Sequence, residues 1–211
     1  MYIVCPLEFE RSALRRLAAA RGWNLACSGP GAAAVAAWAR QGGPPAGSTV
    51  VLAGVAGSLR PSVPSGEAVE ISSIVDEDAT MEYVPRRLTK LPRVRCIAVH
   101  APLATVEAKR EEAARNRADI VDMESAAFAR EAIARQWRWS VVRGISDGAD
   151  ESLPLGVEGW TDARGKTRLL RVVGSLARRP WMVREVTQLG ARSFLAMDAV
   201  QRALACVHAG G

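Results

Sequence analysis

The sequence predicts an α/β protein, a three-layer α/β/α sandwich around a twisted, mixed sheet that is largely parallel. Two observations lead to this prediction. Short apolar runs rich in β-branched residues alternate with segments of helical periodicity along most of the chain. Turns that contain glycine or proline separate many of these segments. Strands that alternate with helices form a sheet with helices on both faces, because each helix must bury its apolar stripe.

The predicted elements follow one another in a regular order. Residues 2–5 form a short apolar run, and residues 8–22 have the apolar spacing of a helix that ends near Gly22. Thr105 can cap a later helix, because its hydroxyl can accept a backbone N–H at a helix start. The other predicted strands are residues 24–28, 48–54, 67–75, 80–84, 94–100, 118–121 and 139–144. The other predicted helices are residues 29–41 (after a glycine turn), 106–117, 124–137 and the chain from Lys166 onward, with a break at Arg179 and Pro180.

The composition is that of one globular domain, residues 1–211, without a membrane span. Of the 211 residues, 49% are hydrophobic and 24% are charged, which allows a sizeable core. No apolar run reaches the roughly 18 residues of a membrane helix, and no signal peptide is predicted. The four cysteines are far apart and there are only two histidines. We therefore expect a reduced, cytoplasmic protein with no metal and no cofactor.

The net charge of +6 is concentrated in the C-terminal segment, residues 160–211, where nine basic residues accompany three acidic ones. Such a segment suits nucleic acid, an anionic membrane or an acidic ligand. A solvated helical face is the commoner origin of this pattern. Trp160 and Trp181 suit a membrane interface, so we keep a peripheral membrane contact as a hypothesis and predict no nucleic-acid partner.

Acidic residues follow several of the predicted strands. They are Glu8 and Glu10 after the first strand, Asp122 and Glu124 after residues 118–121, and Asp147 after residues 139–144. A glycine-containing turn, residues 55–57, follows another strand. If these strands run parallel, their carboxyl ends meet at one edge of the sheet, where α/β proteins bind ligands. Capping of a helix explains a single carboxylate and is the expected role of Asp122, but three acidic clusters predict a site.

Two other motifs suggest different chemistry. Residues 29–34, "GPGAAA", have the spacing of a dinucleotide-binding turn, but no acidic residue follows the next strand as that fold requires. A tight turn that lets backbone approach a ligand, or a simple helix start, explains them better. Ser28, Ser58, Ser125 and Ser146 lie outside a nucleophile-elbow motif, so no serine nucleophile is predicted.

Four segments, "SGPGAAAVAA", "LAGVAGSL", "VDMESAA" and "VVRGISDGAD", resemble in order and spacing the signatures of the nucleoside phosphorylase superfamily. Within it, they look like those of methylthioadenosine/S-adenosylhomocysteine nucleosidases. "PLATVEAKR" and "TRLLRVVGSLARRP" look like the hopanoid-biosynthesis relatives, thought to remove adenine from adenosylhopane. The resemblance implies a phosphorylase-like fold, a homodimer, and hydrolysis of the N-glycosidic bond of a 5′-substituted adenosine with release of adenine. The nucleoside would be methylthioadenosine, S-adenosylhomocysteine or an adenosylhopane-like compound.

The resemblance also implies roles for individual residues. Asp147 matches the acid that protonates the departing purine, and burial can keep such a carboxyl group protonated. Glu10 matches the base that activates water, with Glu8 as a rival, and Arg143 would orient this base or the nucleophile. Glu124 matches the acceptor of the ribose hydroxyls. The predicted substrate-binding set is completed by Met123 against the sugar or base, and by Ser146, Gly54 and Val55.

The turn "AGVAG" departs from the family pattern. Val55 stands where family nucleosidases carry a serine that helps to place water. Phosphorylases of the superfamily bind phosphate with a serine and an arginine around this turn, where this chain has Val55 and Leu52. Purine nucleoside phosphorolysis is therefore the weaker alternative, since Glu10 would also repel phosphate. A non-catalytic protein that binds adenosine derivatives is the alternative from another class, because a fold alone does not carry activity.

Overall fold

The computed structural model describes residues 1–78, 81–154, 156, 159, 162–167 and 179–207. Within these residues, eight strands form one mixed sheet and five α-helices pack around it. The strands are β1 (Tyr2–Cys5), β2 (Asn24–Cys27), β3 (Thr49–Ser58), β4 (Ala68–Asp76), β5 (Glu82–Tyr83), β6 (Arg93–Ala98), β7 (Ile120–Asp122) and β8 (Arg138–Asp147). The helices are α1 (Glu8–Arg21), α2 (Ala32–Gly42), α3 (Val106–Asn116), α4 (Ser125–Ala134) and α5 (Val183–Ala205).

The sheet is mixed, as predicted, and part of it closes on itself. The strands β1, β3 and β8 run parallel to one another. The strand β7 runs parallel to β6 but antiparallel to β3, and β8 runs antiparallel to β4. The pairings β3–β7–β6–β4–β8–β3 form a closed ring. The assumption that all four strands before the acidic clusters and the glycine turn run parallel is therefore wrong for β7.

The strands β3 and β8 are longer than predicted, because their glycines allow close packing rather than ending the strands. Both extend by several residues, so residues 55–57 are strand rather than turn, and Asp147 is the last residue of β8. A Cβ atom at Gly144 would lie 2.6 Å from the carbonyl oxygen of Ala196 in α5. One at Gly54 would lie 2.6 Å from Oε1 of Glu10. Glycine within a strand marks such a close approach.

Two hydrophobic cores lie on opposite faces of the sheet. One contains Val35 of α2 and Phe128 of α4, which pack with buried residues of β3 and β8. The other contains Leu14 of α1 and two residues of α5, Met197 and Val200. Helices thus cover both faces, which confirms the predicted three layers.

Helix signals in the sequence place two helix ends correctly. The chain leaves α1 through Gly22, which has a left-handed backbone with φ of 63°. The hydroxyl of Thr105 accepts the backbone N–H of Ala108 at 3.2 Å and so caps α3, as predicted.

The predicted C-terminal helices are observed in part. After a 3-10 turn at Pro180–Met182, α5 confirms the helix beyond the predicted break. Lys166 and Thr167 are not helical. The intervening segment, residues 168–178, and Trp160 lie outside the described residues. In the part of the chain that is described, no helix has the length and apolar character needed to cross a membrane.

Candidate active site

A cavity of about 670 Å³ lies at the carboxyl ends of β3 and β8, beside the start of α4. Three almost fully buried carboxylates, Glu10, Glu124 and Asp147, line it. The three acidic clusters therefore meet despite the direction of β7, because β7 pairs with the last residues of β3. A larger cleft of about 1600 Å³, lined by Arg86 and Arg138 among others, contains none of the predicted site residues.

Glu10 is held by the backbone of two elements. One carboxylate oxygen accepts the N–H of Leu7 at 2.7 Å, which forms the capping interaction of α1, and the other accepts the N–H of Val55 at 2.7 Å. Burial raises the pKa of Glu10 to about 8, although Arg143 and these two N–H groups act in the opposite direction. Its rival Glu8 is only half-buried and forms an ion pair within α1. Glu10 is thus the carboxylate that faces the cavity.

Arg143 holds the other carboxylates rather than the substrate. It is completely buried in β8, and its Nη2 lies 2.6 Å from Asp122 Oδ2 and 3.3 Å from Glu124 Oε2. Burial disfavours its charge, but Asp122, Glu124 and Glu10 raise the pKa of Arg143 above its ordinary value. Its Nη1 has no hydrogen-bond partner in the described part of the chain and lies over Gly54, beside Glu10. The guanidinium is therefore a positively charged support beneath the cavity.

Glu124 is fixed by the glycine turn that precedes α2. Its Oε1 accepts the N–H of Gly31 at 2.8 Å, so the "GPGAAA" turn approaches this carboxylate closely. Burial raises the pKa of Glu124, and Arg143 opposes this. Asp122 accepts the N–H of Ser125 at 3.1 Å in the first turn of α4, so the expected cap is present. Asp122 also forms the ion pair with Arg143, which was not expected.

Asp147 has a buried partner that the sequence did not reveal. Its Oδ2 accepts a hydrogen bond from Nζ of Lys109 at 2.5 Å, and its Oδ1 accepts one from Oγ of Ser146 at 2.6 Å. Lys109 comes from α3 and is 1% exposed. Asp147 is thus buried, as the proposed acid should be, and it also faces a buried ammonium group that the sequence analysis did not include.

The remaining predicted residues have different positions. Met123 and Val55 line the cavity, and Ser146 lines it beside Asp147. Gly54 is not among the lining residues; it lies beneath Glu10 and Arg143.

Two groups of cavity residues were not predicted. Lys109 lies in a segment that is mostly charged, "VEAKREEAARNR", which has the composition of a solvated helix. The first half of α5 lines the mouth of the cavity with Val186, Leu189 and Phe194. The apolar spacing of α5 predicts one buried stripe, and Met197 and Val200 in the second half of the helix form that stripe. The cavity contacts of the first half were therefore not predicted.

Part of the chain matches a family model, and the fold matches several solved structures. Residues 81–178 match the family model described as the phosphorylase superfamily. The native futalosine hydrolase of Helicobacter pylori has a TM-score of 0.69 and 14% identity, over 96% of this chain and 94% of that chain. A mutant of the Helicobacter pylori methylthioadenosine nucleosidase, with 5′-methylthioadenosine in its active site, has a TM-score of 0.67 and 13% identity, over 96% of each chain.

A plant protein has the same fold. The Arabidopsis thaliana 5′-methylthioadenosine nucleosidase in apo form has a TM-score of 0.66 and 12% identity, over 100% of this chain and 96% of that chain. No curated protein matches the sequence. The predicted resemblance to the nucleoside phosphorylase superfamily is confirmed over residues 81–178 by the family model, and the solved structures share the fold of this chain.

Proposed function

We propose that this chain hydrolyses the N-glycosidic bond of a 5′-substituted adenosine and releases adenine. The observation that supports this most is the convergence of Glu10, Glu124 and Asp147 in one buried cavity. The reaction needs three groups: a base for water, an acceptor for the ribose hydroxyls and a proton for the leaving purine. The named nucleosidases of the same fold add support for this reaction class.

The chemistry assigns one step to each carboxylate. Glu10 accepts a proton from the water that attacks C1′, and its raised pKa makes it a strong enough base once ionised. Glu124 accepts hydrogen bonds from the 2′- and 3′-hydroxyls, held in place by Arg143 and the turn at Gly31. Asp147 delivers the proton to the purine as the C1′–N9 electron pair moves into the base.

Phosphorolysis receives less support. Arg143 lies beside Glu10, but it is buried beneath the cavity and already paired with Asp122 and Glu124. An incoming phosphate would meet Glu10 and Val55 instead, which offer a carboxylate and an apolar side chain. An ionised Glu10 and a phosphate ion in contact with it would repel each other.

We further propose that the 5′-substituent is apolar. Phe9, Leu103, Leu189 and Phe194 are among the residues that line the cavity. Such a lining suits a methylthio group or the larger chain of an adenosylhopane-like nucleoside better than a charged group such as that of S-adenosylhomocysteine. We also propose a homodimer in the cytoplasm. The exposed Trp181, with 69% of its surface accessible, is a candidate for peripheral contact with an anionic membrane.

An assay for free adenine tests the proposal. Methylthioadenosine and adenosines with longer alkyl 5′-groups are incubated with the protein, with and without phosphate. We expect adenine and the free ribose in both cases. Turnover only with phosphate, with a ribose-1-phosphate product, would instead assign a phosphorylase. Binding without any adenine would assign a non-catalytic protein.

The variant Asp147→Asn tests the proton donor. It should lower kcat for adenine release by about 10²–10⁴-fold, the usual range for general acid catalysis, with a smaller change in KM. A nitrophenyl riboside, whose leaving group needs no proton, should lose far less. Near-normal adenine release by the folded variant would show that Asp147 is not the acid.

A further inference from the structure

Lys109 lines the cavity, and the three-carboxylate scheme leaves it unused. Its ammonium group is 1% exposed and donates to three oxygens: Asp147 Oδ2 at 2.5 Å, Gly148 O at 2.7 Å and Glu151 O at 2.8 Å. These bonds occupy all three of its donors. A buried lysine requires a compensating charge, and among the described residues Asp147 supplies one directly.

We propose, on the basis of the proposed hydrolysis, that Lys109 and Asp147 act as one proton-donating pair in which Lys109 is the source of the proton and Asp147 passes it on. In the resting pair, the proton lies on Nζ and Asp147 is a carboxylate. As the C1′–N9 bond breaks and its electrons enter the purine, Asp147 gives a proton to the purine nitrogen and takes one from Nζ of Lys109. The neutral amine regains its proton from solvent after adenine leaves.

The geometry fits a relay better than a purely structural ion pair. Lys109 lines the same cavity as Asp147, so the neutral amine left after transfer has access to water when the product departs. The carbonyl oxygens of Gly148 and Glu151 keep Nζ in place in either state, because an amine can still donate to both. Ser146 Oγ holds the other oxygen of Asp147.

Several other charged groups surround the pair and affect its pH dependence. Arg143 of β8 is paired with Asp122 of β7 and with Glu124, and Glu10 of α1 faces the same cavity. In the loop after β8, Asp150 lies near Gly148, and Glu151 is paired with Arg192 of α5. In α3, Glu112 is paired with Arg115. In the described residues, none of these cations contacts Asp147 directly, so Lys109 is the group whose removal changes its environment most.

The test is the pH dependence of adenine release by Lys109→Met, which keeps the length of the side chain but has no charge. Without the ammonium group, Asp147 is a lone buried carboxyl that can donate only while it is itself protonated. Relative to the wild type at the same pH, we expect near-normal kcat at about pH 5, and a loss of kcat that grows to on the order of 10²-fold at pH 8. A nitrophenyl riboside should show no such growing loss.

Arg110→Met is the matched control, since it removes a charge from the exposed neighbouring position of α3; it should leave both profiles unchanged. An equal, pH-independent loss on both substrates would show that Lys109 is only structural and would overturn the proposal. If Lys109→Met does not fold, Lys109→Gln, which retains a donor for the carbonyl oxygens, carries the same expectation.

Wild-type protein that releases no adenine would refute the proposed function itself. Wild-type activity with unaltered profiles in the Lys109 variants would refute this inference alone.

Discussion

Replacement of Glu10 by glutamine should change the pH dependence of stability as well as the activity. The side chain is 1% exposed, and burial raises its pKa from an ordinary value of 4.5 to about 8. The folded protein therefore keeps a proton on Glu10 up to about pH 8, whereas the unfolded chain releases it near pH 4.5. The stability that depends on this proton is fully present below pH 4.5 and is lost as the pH rises to about 8.

The size of the effect follows from the two pKa values. At 1.36 kcal/mol for each pH unit, the interval from 4.5 to about 8 corresponds to an upper limit of about 5 kcal/mol. Glutamine cannot ionise, so the free energy of unfolding of Glu10→Gln does not decrease with pH in this way. The variant is instead less stable by a constant amount of about 1–3 kcal/mol, because its amide nitrogen cannot accept the hydrogen bond from the N–H group of Leu7 or Val55.

Urea denaturation of both proteins at several pH values between 5 and 8 measures the difference. Relative to the wild type, the variant should gain a few kcal/mol in the free energy of unfolding over this range. Glu8→Gln is the matched control, because Glu8 is partly exposed and paired only within α1; its curve should follow the wild type within about 1 kcal/mol. Parallel curves for wild type and Glu10→Gln would refute the reasoning.

The same variants separate the two glutamates in catalysis. Glu10→Gln should lower kcat for adenine release by about 10²–10⁴-fold, since it removes the base, and Glu8→Gln should not. In the wild type, hydrolysis should rise as the pH passes through about 8, where Glu10 loses its proton. A normal rate in the Glu10 variant would contradict its assignment as the base.

Three further outcomes are expected. Gly144→Ala should destabilise the protein by about 1–3 kcal/mol in urea denaturation, because its Cβ would meet the α5 backbone. Gly42→Ala is the control, since a Cβ added there would meet no atom from elsewhere in the protein within 4 Å. Equal stabilities of the two variants would contradict the predicted contact. Glu124→Gln should lower kcat/KM for adenosines by about 10–100-fold, as expected for a lost hydrogen bond to a charged group, and an unchanged value would refute its ribose contact. Anionic liposomes should co-sediment the wild type at low salt and retain less of Trp181→Ala; no binding of either would remove the membrane contact.

Sequence patterns could predict most of the fold because its elements carry local signals. The cap at Thr105 and the left-handed Gly22 are examples in which one residue marks a helix end. The direction of β7 could not be predicted, since a three-residue strand has the same side-chain pattern in either direction. The lengths of β3 and β8 were underestimated because Gly54 and Gly144 resemble strand ends, and only tertiary contacts explain them.

The acidic part of the site could be predicted because strand ends gather at one edge. Its supporting charges could not. The contact between Lys109 and Asp147 joins residues 38 positions apart, and no periodicity in α3 distinguishes a buried lysine from a solvated one. The contribution of α5 to the cavity likewise depends on how that helix crosses the sheet rather than on its own pattern.

The closed ring of strands has a consequence for how copies of this chain can associate. Every strand of the ring pairs with a neighbour on both edges over at least part of its length, so within the described residues only β2, with four residues, and β5, with two, have a wholly unpaired edge. Edges this short offer few free backbone groups as a template for another chain. Association between copies must then depend on helices and loops, where side-chain complementarity decides the partner. The sheet itself offers little opportunity for edge-to-edge aggregation.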